Sequence, residues 1–417
     1  MDALKVRNAA DVEEVVRAAI ASEQPLEIVG HGTKRRVGQV MVTNAVLDLS
    51  ALNAVIAYEP NELIVTLQAA APLADVLSLI DSRNQQFAFE PMDTAPLLGG
   101  PGRGTLAQGT IGGMIAAGLA GPRRIKAGGA RDHLLGAHAV SGFGDSFKTG
   151  GKVVKNVTGY DLCKLLAGSW GTLAVMTEVT LKVMPRPEAE RTLVLRGLDD
   201  LRAVKAMTAA LGSPFDVSGA AHLPASTSRA ITEALARLGS AADALTLLRL
   251  EGITASAIDR AASLARQLAP YGAVEIVEDA ASAAAWSAVR DVLPFAAGGP
   301  VGDWPVWRIV CPPVAGGALG QALARDTGGQ VIYDWGGGLI WAALPPQADA
   351  SAATVRQRVA AVSGHATLLR ASDDVRRAVD VFQLQAPGVA ALEERVRHAF
   401  DPKIILNRGR MRRSIAP

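Results

Sequence analysis

The chain has 417 residues, 49% of them hydrophobic and 20% charged, so it buries a sizeable core, is not disordered, and is long enough for two domains. Lys and Arg total 42 against 40 Asp and Glu, a net charge of +2, and aromatic residues make up 4%; neither a basic footprint nor a stacking platform for nucleic acid is present. The two cysteines, Cys163 and Cys311, are too few for an iron–sulfur cluster or a four-cysteine zinc site within one chain, and they exclude a disulfide framework, which fits a reducing compartment.

Residues 9–22 carry Val12, Val15, Val16, Ala19 and Ile20 at helical spacing, with Asn8 placed to cap the helix. The start of the chain is acidic and amphipathic and has no basic-then-apolar leader. The most apolar short run, 111–121, is far too short for a bilayer. The expectation is a cytoplasmic protein that meets a membrane only through partners. Strands are predicted at 26–29, 45–49, 54–58 and 63–69, and a helix from Pro72 through Ile80. Residues 90–130 have glycine every few positions, and only 111–119 reads as helix. A loop of that length inside a compact domain is usually functional or disordered.

Strands resume at 134–141, near 152–154 and at 173–183, until Pro185 and Pro187 stop the chain. A domain boundary is placed at 186–190. Beyond it strands are predicted at 191–196, 244–250, 304–311, 329–333 and 338–344, and helices at 199–211, 255–268, 314–325 and 351–362. With a hairpin through Gly336-Gly337-Gly338, this pattern predicts an open sheet with helices on one face. The last stretch, 388–417, reads as a helix followed by FDPKIILNRGRM.

Three stretches carry the chemistry. Gly30-His31-Gly32-Thr33-Lys34 follows a strand, and its glycines let backbone N–H groups converge on an anion such as a diphosphate. Alone it is weak: Arg35 stands where a dinucleotide fingerprint has its third glycine, and a plain turn between strands explains it as well. Gly109-Thr110-Ile111-Gly112-Gly113, with Ala116, Ala117 and Gly118 behind, opens a helix of small residues suited either to a flat ring or to tight packing. Gly168-Ser169-Trp170-Gly171-Thr172 turns into a strand able to present backbone groups to a nucleotide, or to serve as core.

In this order and spacing the three stretches resemble the FAD-binding domain of the vanillyl-alcohol-oxidase, or p-cresol-methylhydroxylase, family. The resemblance covers roughly residues 5–185 and the tail Phe400-Asp401-Pro402 with Asn407-Arg408-Gly409-Arg410, where Arg408 departs from the family's usual proline. Gly121-Pro122-Arg123-Arg124, the run from Ala130 to Gly136, Trp170, and Tyr333-Asp334-Trp335-Gly336-Gly337-Gly338 are similar to flavoprotein subunits of bacterial glycolate-oxidising complexes.

The resemblance implies an α+β fold: a two-subdomain FAD-binding domain over 1–187, split near 90, then an α/β cap over 188–370, then a segment, 371–417, that returns to the FAD domain. It implies non-covalent FAD, with Gly30, His31, Gly32, Thr33 and Lys34 at the diphosphate, Thr110, Ile111, Gly112 and Gly113 lining the flavin, Gly171 and Thr172 on the adenosine side, and Pro91, Ala116, Gly118 and Val175 completing the cofactor site. His31 falls one position away from the histidine that some relatives link to flavin, so it contributes backbone.

The implied function is an FAD-binding subunit of a glycolate (2-hydroxyacid) oxidoreductase complex, passing electrons to partners: a second flavoprotein subunit and an iron–sulfur subunit. A self-sufficient oxidoreductase of another hydroxy acid or alcohol, and a non-catalytic subunit that keeps the fold, stay open. No catalytic residue is identified. No metal is expected: His222 and His365 are far apart, and His133 and His138, five apart on a predicted strand, point to opposite faces. Arg123, Arg124, Lys126 and Arg131 form a basic cluster that faces a carboxylate, a partner protein or simply solvent.

Overall fold

The computed structural model of the chain describes residues 2–43, 45–99, 109–151, 160–234 and 243–413. The strand expected near 152–154 lies outside them. The first subdomain holds β1 (Asp2–Lys5), α1 (Ala9–Ser22), β2 (Leu26–Val29) and β3 (Ala45–Asp48), with the strands parallel in the order β1-β3-β2. Asn8 caps α1 by accepting the Asp11 N–H at 2.9 Å. Its apolar stripe, Val12, Val16 and Ala19, is buried with Leu26 and Leu47 of the sheet.

The second subdomain contains β4 (Val55–Glu59), β5 (Ile64–Gln68), β6 (Gln85–Gln86), β7 (Leu134–Ser141), β8 (Ser146–Gly150), β9 (Ala174–Lys182) and β10 (Met184–Pro185), so the two subdomains divide before residue 55 and not near 90, because β4 and β5 pair into this sheet. Five of these form an antiparallel sheet in the order β4-β5-β9-β7-β8, and β6 pairs with β10. Helix α2 (Leu73–Asp81) buries Leu73, Val76 and Ile80 with Val65 and Leu67 of β5. The described residues of the 90–130 stretch are more regular than its glycines suggest: α3 (Ala95–Leu98), α4 (Ile111–Ala117), α5 (Arg124–Ala127) and α6 (Ala130–His133) punctuate them, and α7 (Cys163–Leu166) follows later. His133 therefore closes a helical turn rather than sharing a strand with His138.

The third body is a sheet of eight strands: β11 (Ala189–Arg196), β12 (Gly219–Leu223), β13 (Leu245–Gly252), β14 (Val274–Glu278), β15 (Val306–Val310), β16 (Gln330–Asp334), β17 (Leu339–Ala343) and β18 (His365–Arg370). Their order is β14-β11-β13-β12-β16-β17-β15-β18, with every pairing antiparallel. The hairpin from Tyr333 to Leu339 is present.

Leu193, Leu195, Leu248 and Leu250 face α8 (Asp200–Leu211), whose Ala203 and Met207 meet them, and α10 (Thr254–Leu268), whose Ala261 and Leu264 do the same. The alternate residues Val194, Ala221 and Leu247 face the other way, onto Ala285 and Trp286 of α11 (Asp279–Arg290) and onto Leu97, Ala117, Leu119 and Trp170. Helices on one face only is thus corrected. Both faces of the central strands are buried, one under helices and the other under α11 and the first two subdomains, which is why these strands are apolar throughout.

The tail returns to the first sheet. After the last long helix, residues Pro387–Phe400, both carboxylate oxygens of buried Asp401 accept backbone N–H groups, from Ile405 at 3.0 Å and Leu406 at 2.7 Å. Leu406 then bridges Leu26 in parallel, so the tail extends the sheet beside β2.

Candidate functional site

The end of β2 opens into the loop Gly30-His31-Gly32-Thr33-Lys34, and this loop faces Thr110 and α4 across a cleft. The first wall is Ile28 through Arg35; the second is Ala69, Ala70, Thr110, Gly112, Gly113, Ala116, Gly171, Ala174 and Met176; Trp170, Asn407 and Arg410 close the end. The walls come from different subdomains, so the cleft lies where the two meet.

Small residues are required by the spacing of these walls. A Cβ on Gly30 would stand 2.8 Å from Thr110 Oγ1, and one on Gly112 would stand 2.9 Å from Ala69 Cβ. Gly171 has φ +69°, and a Cβ there would meet Asn407 Nδ2 at 2.7 Å. Its neighbour Trp170 also sits in the left-handed region, at φ +53°. That conformation is unfavourable for a bulky residue and is held by two bonds: Trp170 N donates to Ala116 O at 2.9 Å, and Asn407 Nδ2 donates to Trp170 O at 2.7 Å. Thr110 caps α4 by accepting the Gly113 N–H at 3.2 Å.

The cleft is electropositive at the loop end. Burial pushes the Lys34 ammonium down to about 8, against the pull of Asp93. Arg410 donates to the Lys34 carbonyl at 2.7 Å, and burial lowers its guanidinium to about 10 while Glu27 opposes. Buried Glu27 also accepts Arg35 Nε at 2.9 Å, so one carboxylate organises both arginines at the rim.

Of the residues expected at a cofactor, Gly30, His31, Gly32, Thr33, Lys34, Thr110, Gly112, Gly113, Ala116 and Gly171 converge on this cleft. Five do not border it. Ile111 and Val175 are fully buried in the cores behind its walls. Gly118 is the left-handed cap of α4, and Thr172 turns its hydroxyl onto Ser169 O at 2.7 Å. Pro91 pairs with Ala120 and borders a separate cavity at the junction with the third body. Sequence reasoning did not place Ala69, Met176 or Arg410 here.

That junction carries a buried charge network. Arg249 of β13 donates both Nη atoms to Glu90, at 2.7 and 2.9 Å, and stacks on Trp286 at 4.7 Å. Arg123 donates to both oxygens of Glu251, at 3.0 and 2.7 Å, and its backbone N–H binds Glu90 at 2.6 Å. Of the basic cluster only Arg123 is buried; Arg124, Lys126 and Arg131 are exposed, with Lys126 paired to Asp216 and Arg124 lying on the Trp335 ring.

The histidines do not converge. Fully buried His222 contacts Thr246 Oγ1 at 2.9 Å and Asp200 at 3.3 Å, while His365 lies elsewhere, beside Gln385. Among the described residues no three His, Cys, Asp or Glu side chains gather as for a metal, and no helix is long and apolar enough to cross a membrane.

A long cleft with a glycine loop, buried cations at one end and an apolar floor suits a dinucleotide carrying a diphosphate and a flat ring. Residues 3–150 match the FAD binding domain family. The crystal structure of p-cresol methylhydroxylase with substrate bound superposes with a TM-score of 0.71 at 14% identity, covering 100% of this chain and 89% of that one. The fold is that of p-cresol methylhydroxylase, and the matched domain is an FAD-binding one. Glycolate oxidase subunit GlcE of Escherichia coli (strain K12) is 30% identical over 95% of each chain. The chain belongs to the family of that subunit. Glycolate oxidase subunit GlcD of Bacillus subtilis (strain 168) is 32% identical over 45% of this chain, which spans only 38% of that relative.

Proposed function

We propose that this protein is the FAD-binding subunit of a glycolate (2-hydroxyacid) oxidoreductase complex, taking part in the two-electron oxidation of glycolate to glyoxylate. The observation that carries the reading is end-to-end similarity to glycolate oxidase subunit GlcE in a chain whose glycine cradle closes between two subdomains under a third. Bound FAD supplies the two-electron acceptor. Gly30 through Lys34, with Arg410 behind them, bind and neutralise the diphosphate. Thr110, Gly112, Gly113 and Ala116 give the ring a flat wall, and Gly171 lets the adenosine end approach the backbone. The third body, resting on Trp170 and Ala117, shields this space from water.

Partners in the proposal are a second flavoprotein subunit, for which GlcD is the analogue, and an iron–sulfur subunit to carry single electrons onward, since two cysteines cannot hold such a centre. Membrane association runs through these partners. The division at 187 and 370 is part of the same reading. The test is isolation of the complex through a tag on this chain. Anaerobic glycolate should bleach flavin absorbance in the complex, and removal of the iron–sulfur partner should stop electron transfer to an external acceptor. A complex with full turnover and electron transfer in the absence of this chain would overturn the proposal.

A further inference from the structure

The last long helix, Pro387–Phe400, has 14 residues, and none of them is buried. By contrast α8, α10 and α11 each bury at least four. A helix of this length is marginal in water unless one face is covered. Its apolar residues nevertheless recur at helical spacing, Val389, Leu392 and Val396, and Leu384 stands just ahead of them. Leu384, Val389 and Leu392 are 68%, 48% and 55% exposed.

A groove runs beside this stripe. Its walls are the helix, the segment that holds Phe382, Gln383 and Leu384, and the tail at Met411 and Arg412. Phe382 meets Trp170 edge-on at 5.8 Å, and Trp170 borders the cofactor cleft. One aromatic pair therefore separates the groove from the cleft.

The flank is basic. From 395 to 413 the only acid is Asp401, which is buried and accepts backbone N–H groups, while Arg395, Arg397, Lys403, Arg408, Arg412 and Arg413 keep full or partial exposure. Glu393 and Glu394 pair with Arg412, Asp380 with Arg413 and Glu23 with Lys403. Arg395, Arg397 and Arg408 have no ion pair among the described residues. Arg397 Nε is buried without an acceptor among them. Burial lowers this guanidinium, Glu394 and Asp401 oppose, and the charges of Arg412 and Arg408 add to the lowering.

We propose that this face docks another protein subunit, which lays an apolar ridge flanked by carboxylates into the groove and along Leu384 and Leu392. Three unpaired arginines and an orphan N–H are complementary to an acidic surface. A second copy of this chain would set arginines against arginines across a twofold contact. The stripe is aliphatic, without the Trp or Tyr of an interfacial helix, and a concave groove with amide side chains in its wall suits a folded partner rather than a flat bilayer. That the docked chain belongs to a glycolate-oxidising complex rests on the function proposed above; the docking face itself rests on the helix and its charges.

The test uses the complex isolated through a tag on this chain, weighed by native mass spectrometry, with flavin content read alongside. Leu384→Glu combined with Leu392→Glu puts charge into the stripe and should release a partner subunit while flavin content stays unchanged. Arg395→Glu combined with Arg408→Glu should weaken the complex roughly ten- to a hundredfold and flatten its sensitivity to salt. Ile258→Glu on α10, where the isoleucine is 51% exposed, should leave the complex intact. Unchanged composition and affinity in both double variants overturns the docking face. So does a wild-type chain that assembles only with itself, or one that binds phosphatidylglycerol vesicles through Leu392 in place of a protein. A complex that depends on these residues but does not oxidise glycolate would leave the docking face standing and remove the glycolate reading. Glycolate oxidation by a complex indifferent to them would do the reverse.

Discussion

Asn407 donates its side-chain amide to the carbonyl of Trp170 across 2.7 Å, joining residues 237 apart in sequence. Its Oδ1 accepts Ile28 N–H at 2.9 Å, and its own N–H binds Leu26 O at 3.0 Å. One side chain thereby fixes the strand that launches the glycine loop to the turn that closes the cleft. Together with the Trp170 N–H bond to Ala116 O, this amide holds the left-handed backbone at Trp170.

Asn407→Ala removes both side-chain bonds and leaves an N–H and a carbonyl without partners, at about 1–3 kcal/mol each. The expected result is a lower thermal midpoint and faster flavin loss, read by the rise of free flavin fluorescence on heating. Asn407→Asp keeps the bond from Ile28 but sets a carboxylate against the Trp170 carbonyl, so it should also lose flavin.

Gly30→Ala places a methyl 2.8 Å from Thr110 Oγ1 and 3.0 Å from its Cγ2. Flavin content of the purified protein should drop sharply. Adding Thr110→Ala removes both contacts and leaves the Thr110 Cβ position, 3.4 Å away, as the nearest neighbour. Flavin content should then recover, although α4 loses its cap at a cost of about 1 kcal/mol. A double variant as empty as the single one would mean that Gly30 serves something other than close approach.

The charge network should fix the third body against the others. Arg249→Met leaves Glu90 buried without its bidentate partner and should cost about 3–5 kcal/mol. Burial raises Glu251, but Arg249 and Arg123 more than offset this and hold it at about 2, against 4.5 for a free side chain. A carboxyl lowered on folding stabilises above its unfolded value and loses that contribution as pH falls. Wild-type stability should therefore decline between pH 4.5 and about 2, and Glu251→Gln should flatten this part of the denaturation profile.

His31 borders the cleft but is exposed at its rim. Acid precipitation should release all the flavin into the supernatant and leave a colourless pellet. A yellow pellet would show a covalent link.

Much of the site was readable because it is local. The glycine loop after β2, Thr110 ahead of two glycines, and the Asn8 cap each depend on a few adjacent residues. The hairpin at Gly336 was readable for the same reason. Where partners are distant in sequence, the reading failed. Nothing near Arg249 announces Glu90, 159 residues away, and nothing near Arg410 announces the Lys34 carbonyl.

Three strands of the large sheet also escaped. β12 reads GAAHL, with small residues that carry little strand signal. β14 is an edge strand, largely exposed, and β18 opens on exposed His365. The second buried face was missed because a continuously apolar strand does not reveal what covers each side. Val175 and Ile111 belong to the same motifs as cleft residues, yet strand alternation in β9 and the helical turn of α4 direct their side chains into the core.

The most direct measurement is the absorption spectrum of the purified chain on its own. The account predicts flavin bands at one FAD per chain, diminished by Gly30→Ala. A colourless chain that still co-purifies with a catalytic flavoprotein would contradict it and leave the fold as a scaffold.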